Sequence, residues 1–148
     1  MPDPATRKRA AADKRSGKSP GTQAGEYVKE EIDHIREGKH GARSAKQAIA
    51  IGLSKARRDG VALKTSKTAS AATRKKAAQD VAASKKRTKK VSAKRSRAVV
   101  SELKHEGQAA ASATALSRHS RSAAAKRGKS ARSATAKKAA RTRARTAG

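Results

Sequence analysis

The sequence predicts a mostly helical or disordered chain: a small N-terminal helical hairpin followed by a low-complexity basic tail with transient helices. Three observations lead there. Leu, Ile, Val and Phe supply only 14 of 148 residues, about 9%, against the roughly 20% below which a highly charged chain stays disordered. Eight of those 14 fall between Val28 and Leu63, so one segment alone holds the material of an apolar core. From about Thr65 the text reduces to Ala, Lys, Arg, Ser and Thr in short permutations, with no proline to interrupt a helix.

Residues 1–24 read as a flexible basic arm, since they hold all three prolines and two of the ten glycines. Residues 25–63 read as the hairpin. Val28, Ile32 and Ile35 stand at i, i+4 and i+7 and predict a helix from about Glu26 to Glu37, with Glu26, Glu30 and Glu31 near its positive N-terminal end. Gly38 and Gly41 bracket a turn at Lys39 and His40. Ser44 and Gln47 have the spacing of a capping box, which opens a second helix running to about Arg58; Arg57 and Arg58 suit its negative end and Gly60 a left-handed C′ position. Ala45, Ala48, Ile49, Gly52, Leu53 and Ala56 form its apolar face. Burial of eight aliphatics barely offsets the ordering of some 35 residues, so the hairpin is expected to need a protein partner, a second copy or DNA.

Residues 64–148 form the third segment. Transient helices are expected at about 69–83, 93–105 and 108–127, firming up when phosphate neutralises the lysines and arginines, with Val99, Val100 and Leu103 as a weak apolar spot.

The chain carries 39 basic and 11 acidic residues, a net charge of +28, and +22 of it lies beyond residue 60. A polycation of that density repels itself and becomes compact against a polyanion. Duplex DNA is the expected partner, because each phosphate neutralised by Lys or Arg releases condensed counterions and gives strong binding without regard to sequence. Readers of single strands stack bases on aromatic rings, and Tyr27 is the sole Phe, Tyr or Trp. RNA therefore ranks second. The candidate phosphate contacts are Arg74, Lys75, Lys76, Lys85, Lys86, Arg87, Lys89, Lys90, Lys94, Arg95, Arg97, Arg118, Arg121, Lys126, Arg127, Lys129, Arg132, Lys137, Lys138, Arg141, Arg143 and Arg145. Arg43, Lys46, Lys55, Arg57 and Arg58 are secondary contacts from the hairpin.

Other chemistries fall away. Without Cys there is no disulfide, thiolate site or thiol nucleophile. The longest nearly apolar run, Ala48 to Leu53, is far short of a membrane span. The first fifteen residues lack the apolar stretch of a secretory signal, so a cytoplasmic or nucleoid location is expected. Gly17-Lys18-Ser19 and Gly128-Lys129-Ser130 resemble the end of a phosphate-binding loop, but Ala12 and Ala123 stand where its first glycine belongs. His34 and His40 are six residues apart across a glycine turn, with Glu37 the neighbouring carboxylate of suitable spacing; they, His105 and His119 read as surface or turn histidines. No catalytic residue, metal or cofactor is expected, and the chain does not read as an enzyme.

The stretch from Glu37 to Leu63 resembles a bacterial domain family of uncharacterised function. Its members carry a short lead with Gly and Lys, then a core that here runs Arg43-Ser44-Ala45-Lys46-Gln47-Ala48-Ile49-Ala50-Ile51-Gly52-Leu53-Ser54-Lys55-Ala56-Arg57. The likeness covers under a fifth of the chain and implies no activity. The AAAK, KKAA and AKR blocks of the tail are similar in composition to Lys- and Ala-rich bacterial histone-like proteins. Together these readings imply a histone-like, nucleoid-associated DNA-binding protein. The alternatives are an RNA- or ribosome-associated basic protein and a stress-related helical protein, the last opposed by the lack of Glu to balance Lys.

Overall fold

The computed structural model describes residues 2–66, 69–85 and 92–146. Seven α-helices occur among them: α1 (Pro4–Arg15), α2 (Pro20–Arg36), α3 (Ala45–Arg58), α4 (Ala71–Lys85), α5 (Ala93–His105), α6 (Ala113–Lys126) and α7 (Gly128–Thr146), with a 3-10 turn at Ala109–Ala111. The expected hairpin with a largely disordered tail is thereby corrected: the protein is all-α, and the helices belong to two compact units, Met1–Ser112 and Ala113–Gly148. The expectation failed because it counted large aliphatics, and this protein builds its core from alanine. Ala10, Ala24 and Ala56 cluster with Tyr27 and Val61. Ala42, Ala48, Ala110 and Ala111 cluster with Ile35.

The segment expected to be a flexible arm is helical too. Two of its three prolines, read as breakers, start helices: Pro4 and Pro20 occupy the first turn of α1 and α2, where the missing N–H has no intrahelical partner to lose. Ser19 caps α2 by accepting a hydrogen bond from Thr22 N at 3.3 Å. The helix expected to start near Glu26 thus starts at Pro20.

In the first unit α1 packs on α2, α2 on α3 and α3 on α4, and the 3-10 turn rests on α2 and α3. The α2–α3 crossing is close because of Gly52, where a Cβ would stand 2.6 Å from Val28 Cα. Ser44 opens α3 as its spacing predicts, accepting from Gln47 N at 3.2 Å, while Gln47 Oε1 accepts from Arg43 N, one residue before the position a capping box uses. Gly60 follows α3 with φ +92°, the left-handed conformation expected of it.

Three helices meet at Asp59. Arg7 of α1 places Nε 3.2 Å from its Oδ2 and a terminal nitrogen 2.8 Å from its Oδ1. The hydroxyl of Tyr27 on α2 donates to Oδ2. Burial, then this hydrogen bond, push the Tyr27 phenol well above its ordinary pKa. Asp80 plays the same part for α4, accepting from Ser54 at 2.6 Å and Arg58 at 2.8 Å on α3 and from Lys76 at 3.0 Å. The end of α5 holds the loop after α2: Gly41 N donates to Leu103 O at 2.7 Å and Ala42 N to Gly107 O at 3.1 Å.

The second unit consists of α6 and α7, in contact and joined at Gly128, whose φ is +73°. No helix among the described residues is long and apolar enough to cross a membrane.

Candidate nucleic-acid interface

A cation serves phosphate binding only if it is not already spent inside the fold. The two units differ in this respect. All 11 acidic residues lie in the first unit, against 28 basic ones, whereas the second has 11 basic residues and no acidic one.

Among the candidate contacts, Arg74, Lys75, Lys76, Lys85, Lys94, Arg95 and Arg97 in the first unit are exposed. So are Arg118, Arg121, Lys126, Arg127, Lys129, Arg132, Lys137, Lys138, Arg141, Arg143 and Arg145 in the second. Lys86, Arg87, Lys89 and Lys90 lie outside the described residues. Lys76 is committed to Asp80. Seven candidates stand on α7, a helix of 19 residues. At about 100° per residue they cover about two-thirds of its circumference, with a gap of about 120° between Lys138 and Arg132, rather than one face.

The secondary contacts fare differently. Lys55 lies 2.6 Å from Glu31 and 3.3 Å from Glu30, so it neutralises two carboxylates rather than a phosphate. Arg58 is paired with Asp80 and Arg57 donates to Leu63 O at 3.4 Å. Arg43 reaches Glu106 at 3.5 Å but keeps most of its surface in solvent. Lys46 is exposed on α3. The hairpin thus offers solvent less positive charge than its sequence suggests, because internal carboxylates occupy its cations.

Two features were missed in the sequence. Glu30 and Glu31, which read as charges near the positive N-terminal end of a helix, are buried against Lys55. The one signal available was position, since Glu31 stands one helical turn before His34 and the glycine turn at Gly38 follows directly. Sequence spacing paired the histidines with Glu37, yet Glu37 binds Lys39 at 2.9 Å. It is Glu31 that joins His34 and His40.

Comparison of the chain with family models, with curated proteins and with solved structures finds no match.

Proposed function

We propose that the protein is a sequence-nonspecific binder of duplex DNA, of the histone-like, nucleoid-associated kind, which acts by neutralising phosphates. The observation that carries this reading is α7: seven exposed cations over 19 residues, spread over about two-thirds of the helix's circumference, with no acidic residue anywhere in its unit. About 28 Å of helix lies against a duplex that offers one negative charge per about 1.7 Å. Tyr27 adds support. It is 2% exposed, so no Tyr, Phe or Trp ring in this chain is free to stack on an unpaired base. Binding then goes to the backbone, which positions a protein without reading sequence. Residence in the nucleoid follows from that activity.

The test is fluorescence anisotropy with two unrelated duplexes over a salt series, with a structured RNA as competitor. Equal affinity for both duplexes, and a log–log slope of about −0.9 for each phosphate neutralised, are expected. Full-length protein with the seven α7 cations changed to Gln should lose up to about 6 from that slope. Binding that ignores salt, a slope unmoved by the α7 changes, or preferential capture by RNA would refute the DNA reading.

A further inference from the structure

The acidic end of α2 forms a nitrogen- and oxygen-lined cluster that phosphate binding does not use. Glu31 and His34 are i and i+3 on α2 and so share a face. His40 returns to them because Gly38 takes φ +73° and turns the chain just after the helix. Donor atoms of Glu31, His34 and His40 all lie within 4.8 Å of one another, and the two rings meet edge to face with centroids 6.1 Å apart. Asp3 brings a fourth group, its Oδ2 3.3 Å from His34 Nε2.

We infer that Glu31, His34 and His40 form a binding site for a first-row divalent cation, Zn²⁺ foremost. Three observations support it. His40 Nδ1 is 3.0 Å from Gly41 O and its Nε2 is 3.1 Å from Glu31 Oε1. Both partners are acceptors, and a neutral imidazole has one proton for the two of them. With Nδ1–H donating to the carbonyl, a cation between Nε2 and Glu31 supplies the missing positive charge. The backbone carbonyl then fixes the ring, as the outer partners of metal-bound histidines do.

Glu31 is the second observation. Its side chain is 1% exposed, with Oε2 paired to Lys55 Nζ at 2.6 Å and Oε1 turned to His40 Nε2 at 3.1 Å. The third is charge. Glu30 and Glu31 share Lys55 and Asp3 lies against His34, three carboxylates to one ammonium, which leaves a local surplus of two negative charges in a chain whose net charge is +28. One divalent cation balances it. Two imidazoles with carboxylate suit zinc and its neighbours, whereas Mg²⁺ and Ca²⁺ require oxygen ligands throughout. Bonds of about 2.0–2.1 Å need the donor atoms to draw in by roughly 1 Å, a movement open to partly buried histidines.

The experiment is titration of full-length, chelator-treated protein with Co²⁺, followed by the visible absorption of the bound ion, with Zn²⁺ as displacer. Expected is one equivalent per chain, displaced by Zn²⁺ and not by Mg²⁺ or Ca²⁺. The H34A/H40A variant should bind at least about tenfold more weakly, and an H105A/H119A control should match the parent. Zn²⁺ should also raise the melting temperature of the parent, a readout that holds even if H34A/H40A folds poorly. Absence of a spectrum at one equivalent, or affinity unchanged in H34A/H40A, would overturn the site and leave His40 as no more than a hydrogen-bond partner of Glu31.

Discussion

Asp80 concentrates the residue-scale physics of this protein. Its side chain is 2% exposed, and it stands where a low-complexity text offers a single acid between Asp59 and Glu102. Burial pushes its carboxyl up, but hydrogen bonds from Ser54, Arg58 and Lys76 outweigh burial and hold it below the ordinary value of 3.8. The folded state therefore binds the proton less readily than the unfolded chain. The resulting stabilisation is complete above that ordinary value and is lost as pH falls through the lower folded one. Asp80→Asn should cost about 1–2 kcal/mol at neutral pH, less than a fully buried pair, because Arg58 and Lys76 are more than half exposed and rehydrate. Urea denaturation at pH 7 and in acid measures both effects, and the variant should lose part of the acid sensitivity. The sequence showed Asp80 only as a lone charge in a basic run. Nothing in its spacing pointed to Ser54 or Arg58, 26 and 22 residues away, since such pairs exist only once α4 has packed on α3.

Between elements, small residues decide how near the helices come. Gly52 lets α3 approach the backbone of α2, and a methyl there would meet Val28 Cα at 2.6 Å. Gly52→Ala should destabilise the protein by about 2 kcal/mol, the overpacking cost exceeding the better helix propensity of Ala. Gly25→Ala on the exposed side of α2 is the matched control. A Cβ there meets nothing within 4 Å, so that change should stabilise by about 0.5–1 kcal/mol. Opposite signs in thermal melts of the two variants would verify the close crossing. This was partly legible: Ser44, Gly60 and the small face of α3 were read from spacing, and the helix over Ala45–Arg58 follows the expected bounds. The start of α2 and all of α1 were not, because proline and serine read alike in a loop and in a helix's first turn. Nor was the alanine core, since Ala is equally at home on a solvated helix and between two packed ones.

On the scale of the molecule, charge was the property most directly available in sequence, because net charge is a sum and needs no fold. Its effective distribution was not available, since ion pairs with Glu30, Glu31, Asp59 and Asp80 consume cations of α1, α3 and α4. After this internal neutralisation the first unit, with 28 basic residues to 11 acidic, still carries +17, while the second, with no acid, keeps the whole of its +11. The cations of α7 include opposed pairs, Lys129 with Lys138 and Arg132 with Arg141, about 180° apart at 100° per residue: while one of a pair lies on a duplex, the other still faces outward. On the proposed reading such a helix cross-links two duplexes, and a solution of protein and DNA should separate into a dense phase. Separation should peak where charges cancel, at one chain per about 14 base pairs, and reverse when added protein recharges the complexes. Turbidity across a titration would trace that maximum; a solution that stays clear throughout would mean that α7 engages one duplex at a time.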